Sequence, residues 1–268
     1  MRLLFRSALL AAILLASSGL QGAKRECVDY VNPYIGNISH LLVPTFATIQ
    51  LPNSLMRIYP TRGDYTSELL DGLPVVVTNH RERSAFRISV TQGGELKPVI
   101  RTNWDQERVT QYSYYVEIDN NTINVSLAVS HQSAIYDFEF QNPDEPATVI
   151  VTSDNGAMNV HDNRAEGYQQ LSSNMRIFFS GEFSVKPIES GVLRDGSIQA
   201  DQNRAEGRQS CVAFRFPAGT RKVSLRYGIS LIGETQAYYN LNREQKGYNR
   251  KAVEAEGRRV WNETLGHI

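Results

Sequence analysis

A group of polar and planar side chains lies near the start of the chain, between residues 29 and 66. It combines hydrogen-bond donors, acceptors and an aromatic ring at close spacing, from His40, Arg57, Tyr59, Arg62 and Asp64. Groups of this kind around a pocket bind sugar hydroxyls by hydrogen bonding, while an aromatic ring packs on the apolar face of the sugar. The same side chains could instead cap strand ends and stay solvated, as polar groups on loops usually do.

Prolines determine the backbone of this segment. Pro33, Pro44, Pro52 and Pro60 each fix φ and lack a donor N–H, which excludes one long helix or a central strand. The sequence therefore predicts short extended pieces joined by rigid turns, which would hold polar side chains in place at low entropic cost.

Trp104 is a further candidate, in the polar run TNWDQE at residues 102–107. The run predicts a loop between strands, where the indole could stack on a sugar ring or pack in the core. Glycoside hydrolysis needs two carboxylates about 5–9.5 Å apart, a separation that sequence spacing does not fix. We interpret each acidic candidate as a solvated loop carboxylate, and these candidates are Asp64, Glu68, Asp105, Glu107, Asp154 and Asp162.

Composition places the chain among ordinary globular proteins. Its 268 residues are 41% hydrophobic and 21% charged, which is enough for one large or two small domains with a core. The 28 basic and 28 acidic residues balance without any block of like charge, so neither nucleic-acid binding nor a basic membrane-surface patch is indicated. The histidines lie apart, and no motif for a metal site, a nucleotide loop or a nucleophile elbow occurs.

The first 23 residues have the pattern of a secretory signal peptide. Arg2 and Arg6 precede an apolar run at residues 8–16, which small residues follow. A membrane anchor needs about 20 apolar residues, and this run is shorter. We therefore expect export to the periplasm or the cell exterior of a bacterium and no membrane span in the mature chain. In an exported chain, Cys27 and Cys211 could form a disulfide or stay as free thiols.

Short runs of alternating apolar, β-branched and aromatic residues fill the chain from residue 73 onward. The predicted strands are LPVVVTN, AFRISVT, YSYYVEI, INVSLAV, AIYDFEF, ATVIVTS, MRIFFSG, FSVKP, CVAFRF and KVSLRYGISLI. Because no helix intervenes, residues 24–234 are predicted to form an all-β, antiparallel β-sandwich domain rather than a parallel α/β sheet. The pentapeptide NRAEG occurs at residues 163–167 and 203–207, and we interpret it as turn chemistry in two polar linkers, repeated by chance or by a local hairpin duplication.

The pattern becomes helical within residues 235–268. Ala237 and Leu241 begin a short helical turn, and Val253, Trp261 and Leu265 recur at helical spacing among charged residues. An amphipathic C-terminal helix is predicted, which packs on the sandwich or leads to another domain.

Five elements resemble, in the same order, the N-terminal domain of glycoside hydrolase family 92, the calcium-dependent exo-acting α-mannosidases. VNPYIG at residues 31–36 is similar to the family's VNPFIG, and His40 with VPTF at residues 43–46 falls where the family has a GHTxPGA-like run. Residues 113–140 resemble the family's paired strands, residues 223–244 its closing strand and turn, and residues 252–268 its linker helix. The glycine-rich run after VNPFIG is replaced here by residues 37–42, and the Pro-Gly before the tyrosine pair by Tyr112 and Ser113.

This resemblance implies a β-sandwich of the galactose-mutarotase-like type, followed in the family by a helical (α/α)6 barrel. It implies that the general acid, the general base and the calcium ligands belong to that barrel, so no catalytic residue, metal ligand or cofactor is assigned to this chain. Residues 235–268 would then be a helical linker toward the barrel. The expected sugar-binding residues, on one side of a pocket for a mannose-containing glycan, are His40, Arg57, Arg62, Asp64 and Trp104.

Three functional hypotheses follow. The first is the sandwich half of an exported mannosidase, which binds sugar and does not hydrolyse it alone. The second is a free-standing carbohydrate-binding module or lectin. The third is a non-catalytic scaffold or remnant that docks a separately encoded barrel.

Overall fold

The computed structural model describes residues 25–37, 45–62, 67–78 and 84–267. It begins with a 3-10 helix, Cys27–Tyr30, which is followed by the short antiparallel strands β1 (Ile49–Gln50) and β2 (Arg57–Ile58). These short extended pieces confirm what the prolines predict. The proposed signal peptide and two predicted site residues, His40 and Asp64, lie outside the described residues.

The rest of the domain is an antiparallel β-sandwich, as the sequence predicts. Its strands are β3 (Leu69–Asp71), β4 (Leu73–Val76), β5 (Ala85–Gln92), β6 (Arg101–Val109), β7 (Ser113–Ile118), β8 (Ile123–Val129), β9 (Ser133–Phe140), β10 (Ala147–His161), β11 (Arg164–Ser172), β12 (Met175–Phe183), β13 (Glu189–Arg194), β14 (Ser197–Gln199), β15 (Arg204–Arg215) and β16 (Lys222–Ser230). They pair in the order β14-β13-β15-β10-β11-β12-β16-β9-β8-β7-β6-β3, and β5 pairs with both β4 and β10.

Strand β10 joins the two layers of the sandwich. Its first half pairs with β5 and its second half with β11, while β15 follows its other side. The layers meet through buried aromatic side chains, and the hydroxyl of Tyr136 donates to the Pro74 carbonyl at 2.6 Å. The Tyr227 hydroxyl likewise donates to the carbonyl of Val75 at 2.9 Å. These contacts pack β4 against β9 and β16 around one apolar core.

Two expectations about local structure were wrong. In FSVKP, Phe183 alone belongs to a strand, because β12 ends there and a turn follows. The two NRAEG copies lie largely within β11 and β15, on either side of β10, and are not linkers. Glu166 and Arg204 both pair with Asn159, and Arg204 donates to the Asn159 side-chain oxygen at 2.9 Å. The polar composition of the two NRAEG copies reflects their position on an exposed face of the sheet.

Two helices close the chain, α1 (Glu234–Glu244) and α2 (Arg250–Leu265). Tyr227 and Ile229 point into the core, so Gly228 between them faces outward, toward α1. A Cβ atom on Gly228 would lie 2.4 Å from the carbonyl oxygen of Ala237, so glycine permits the close approach of the helix. None of the helices in the described part of the chain is long and apolar enough to cross a membrane.

The cysteines are free thiols. Cys27 is exposed in the 3-10 helix. Cys211 is buried 3.5 Å from the Leu193 carbonyl oxygen, and burial raises the pKa of its thiol to about 11.

The 3-10 helix is attached to α2 by Arg258. Its guanidinium donates to both carboxylate oxygens of Asp29, at 2.7 and 2.8 Å, and to Glu26 at 2.7 Å. Hydrogen bonds from Arg258 and from the Glu26 backbone lower the pKa of Asp29 to about 2. A free aspartate has a pKa of about 3.9, so the attachment stabilises the fold above that pH and is lost as the pH falls toward 2.

We therefore expect Asp29→Asn to lower the melting temperature at pH 7. The difference from the unmodified chain should shrink between pH 4 and pH 2, where Asp29 of the unmodified chain becomes protonated. Glu95→Gln is the control, because Glu95 forms an exposed ion pair with Lys97. A difference for Asp29→Asn that stayed constant from pH 7 to pH 2 would contradict the assignment.

Candidate functional site

A pocket of about 370 Å3 opens between the N-terminal segment and strand β6. This volume lies within the range of small-molecule sites, about 300–1,000 Å3. Strand β6 pairs with β3 and β7. Arg62 forms an isolated bridge with Leu70 of β3, which brings the N-terminal segment next to β6. The pocket is lined by Tyr34, Gly36, Asn37, Phe46, Arg62, Trp104 and Glu107.

Arg62 and Glu107 form a buried ion pair in the pocket wall. Their side chains are 7% and 8% exposed, and Arg62 Nη2 donates to both carboxylate oxygens of Glu107 at 2.9 and 2.7 Å. The hydroxyl of Tyr114 donates to the same carboxylate at 3.2 Å. The interpretation of Glu107 as a solvated loop carboxylate was therefore wrong. A register shift in β6 between Asp105 and Arg108 changes the local direction of the side chains.

Trp104 lies in β6 and not in a loop, which corrects the expectation from its polar neighbours. Partly buried and exposed positions alternate along β6, as in a strand that has one solvent-exposed face. The guanidinium carbon of Arg62 is 4.5 Å from the centre of the Trp104 ring, and the indole Nε1 donates to the Ser67 carbonyl at 3.1 Å. The indole therefore holds Arg62 in place, and one of its faces is already covered.

The pocket residues include polar atoms that have no partner among the described residues. The side-chain oxygen of Asn37 and Nε of Arg62 are buried and unpaired, although buried polar groups are nearly always hydrogen-bonded. Tyr34 accepts a hydrogen bond from the Val109 N–H at 2.9 Å, which leaves its own proton free to donate. Burial raises the pKa of Tyr34, so this proton is present at neutral pH. The pocket thus offers hydrogen-bond donors and an acceptor. Among its described lining residues, the ion pair of Arg62 and Glu107 carries no net charge.

Arg57 occupies a different place from Arg62. It lines a neighbouring cleft of about 550 Å3 and a further cavity of about 310 Å3. Phe46 lines both the cleft and the Arg62 pocket, so the two spaces adjoin. Of the predicted site residues, the structure thus brings Arg62 and Trp104 together and places Arg57 next to them.

Five lining residues are not among the predicted sugar-binding residues: Tyr34, Gly36, Asn37, Phe46 and Glu107. Tyr34 and Phe46 lie in the runs VNPYIG and VPTF, which were a usable signal. Glu107 gave none, because 45 positions separate it from Arg62. No group of three or more His, Cys, Asp or Glu side chains that could hold a metal ion occurs within residues 25–37, 45–62, 67–78 and 84–267.

The glycosyl hydrolase family 92 N-terminal domain matches this chain over residues 30–230. The chain belongs to this family. Comparison with curated proteins gives no match. The family 92 domain is similar to solved structures. An inverting mannosidase of family GH92 from Bacteroides thetaiotaomicron is 25% identical, with a TM-score of 0.79, over 92% of this chain and 37% of that one.

Two further structures share the fold of this family 92 domain. A second GH92 alpha-mannosidase from Bacteroides thetaiotaomicron is 19% identical, with a TM-score of 0.77, over 91% of this chain and 38% of that one. A bacterial glucoamylase complexed with acarbose is 10% identical, with a TM-score of 0.51, over 82% of this chain and 38% of that one. The chain therefore spans a little over a third of the length of these relatives.

Proposed function

We propose that this chain is the carbohydrate-binding N-terminal domain of an exported α-mannosidase, with the Arg62 pocket as part of a site for a mannose-containing glycan. Membership of family 92 is shown by the match over residues 30–230, and sugar binding by this domain is what we propose in addition. The observation that carries this step is the unpaired acceptor of Asn37 and the unpaired donor of Arg62 among the residues of one pocket.

A neutral sugar suits this pocket better than an ion does. A sugar hydroxyl both donates and accepts, so it could satisfy the Asn37 oxygen and Arg62 Nε, and Tyr34 could donate to a neighbouring oxygen. An anion would face the Glu107 carboxylate, and a cation would face the Arg62 guanidinium. The rings of Tyr34, Phe46 and Trp104 supply apolar surface of the kind that sugar rings pack against.

Binding is tested by calorimetric titration of the chain with methyl α-mannoside. We expect saturable binding, and Asn37→Ala should weaken it by roughly two- to tenfold because it removes one hydrogen-bond acceptor. Asn242→Ala, on α1, is the matched control and should change nothing. A flat titration of the folded chain would contradict sugar binding and favour the scaffold hypothesis.

Hydrolysis is proposed to belong to a helical domain of the parent protein, together with the calcium ion expected there. This is supported by the relatives, which include mannosidases of which the chain covers 37% and 38%. The chain alone should release no mannose from α-linked mannosides beyond a heat-treated control, and measurable release would contradict this part of the proposal. Export is supported by the signal-peptide pattern and is tested by sequencing the N-terminus of the protein from the periplasmic fraction.

A further inference from the structure

We propose that the cleft next to the Arg62 pocket binds an anionic substituent of a sugar, a carboxylate or a phosphate, through Arg57. This rests on the proposed function in one respect, since the neutral part of the same glycan would occupy the Arg62 pocket. The chemistry of the cleft is different from that of the pocket, and it comes from one uncompensated positive charge.

Arg57 lies where two cavities meet. It belongs to β2, and both Arg57 and Gln50 line the cleft of about 550 Å3 and the cavity of about 310 Å3. Phe46 lines both the cleft and the Arg62 pocket. A ligand that fills the pocket can therefore extend past Phe46 toward Arg57.

The charge of Arg57 is not neutralised by any described carboxylate. Arg62 has Glu107 as its partner, whereas no described residue forms a salt bridge with Arg57, and no acidic residue occurs among the described lining of either cavity. The guanidinium carbon of Arg57 lies 6.0 Å from the centre of the Tyr59 ring, a contact that leaves its N–H groups available. Among the described lining residues, the cleft consequently carries a net positive charge and the pocket does not.

Three neutral side-chain donors of the cleft are already used. Trp261 Nε1 donates to the Gln50 carbonyl at 3.1 Å, and Gln111 Nε2 donates to the Val31 carbonyl at 2.9 Å. Gln50 Nε2 donates to the Ser54 carbonyl at 3.0 Å. Arg57 is thus the charged donor left for a ligand, and guanidinium groups bind carboxylates and phosphates with short, strong, often paired hydrogen bonds.

The test compares three sugars on the same full chain by calorimetry. The probes are methyl α-mannoside, mannuronic acid for the carboxylate and mannose 6-phosphate for the phosphate. We expect at least one acidic sugar to bind roughly tenfold to a hundredfold more tightly than the neutral one at low salt, which is the gain that hydrogen bonds to a charged group provide. The acid that gains identifies the substituent, and 0.5 M salt should reduce the gain.

Variants assign the gain to Arg57. Arg57→Gln should remove this gain, measured as the ratio of the affinity for the acidic sugar to the affinity for methyl α-mannoside, and Arg57→Lys should retain part of it. Arg204→Gln is the control for loss of one positive charge elsewhere on the surface, and it should keep the gain. Thermal melting of each variant confirms that it is folded.

Two results would overturn the proposal: equal affinities for all three sugars, or a gain that survives in Arg57→Gln. The proposed function fails in a different way. If methyl α-mannoside does not bind and the acidic sugars bind only with Arg57 intact, sugar binding in the Arg62 pocket is contradicted while the anion site stands.

Discussion

Glu107→Ala should destabilise the domain by about 3–5 kcal/mol, because it leaves the Arg62 guanidinium buried without its carboxylate. Both side chains are less than a tenth exposed, and the change also removes the acceptor of the Tyr114 hydroxyl. The loss is measured as the free energy of unfolding in urea. The cost is large because the Arg62 side chain is only 7% exposed and the Trp104 ring packs on one face of its guanidinium.

A double variant separates the free-energy cost of an unpaired buried charge from the cost of lost side-chain packing. Arg62→Met combined with Glu107→Leu removes both charges and should recover most of the stability, since no uncompensated group remains. The control is Glu206→Ala, which breaks the pair between Arg204 and Glu206, with side chains 46% and 60% exposed, and should cost about 0–1 kcal/mol. If Glu107→Ala cost no more than this control, the ion pair would be solvated and the pocket geometry incorrect. The double variant should also fail to bind methyl α-mannoside.

Asp137→Ala should destabilise the domain by about 1–3 kcal/mol, because it removes a buried acceptor of charged hydrogen bonds while Arg250 keeps Glu254 as a second partner. The Asp137 side chain is 6% exposed and lies 2.8 Å from Lys222 Nζ and 3.3 Å from Arg250 Nε, and it accepts from the Ser224 hydroxyl at 2.6 Å. It therefore connects β9, β16 and α2. Arg250 is 13% exposed and would lose a carboxylate that offsets its charge.

The element in which hydrogen exchange increases distinguishes the loss of this contact from general destabilisation. Hydrogen exchange of Asp137→Ala should rise in α2 more than in β12, because α2 is held to the sheet through Arg250. Glu256→Ala is the matched control, since Glu256 and Arg259 form an ion pair on the same helix with both side chains more than half exposed. Uniform exchange across α2 and β12 would contradict the role of Asp137 in seating the helix.

The strands were largely predictable because their alternation is local. Runs such as INVSLAV and AIYDFEF place apolar residues on one face at period two, and they form β8 and β9. The double pairing of β10 was not predictable, because no local pattern shows which strands meet along it. The polar residues of β6 predict a loop, because the apolar half of the alternation is reduced there to Trp104 and Val109.

The site was predictable only in part, and the reason is again distance along the chain. Residue type places Arg62 and Trp104 among the predicted sugar-binding residues, and the structure places the two side chains in contact. Arg57 and Arg62 are five positions apart and were treated as one set, yet one is neutralised and the other is not. That difference depends on Glu107, whose position next to Arg62 is produced by the sheet and by the irregularity in β6.

The most direct test of sugar binding in the Arg62 pocket uses the fluorescence of Trp104. The chain has two tryptophans, so Trp261→Phe leaves Trp104 as the single reporter, inside the pocket wall. We expect titration with methyl α-mannoside to change its emission saturably, with the same dissociation constant as calorimetry gives for that variant. Emission that stays unchanged at sugar concentrations that saturate the calorimetric signal would place the sugar elsewhere and contradict the assignment of the pocket.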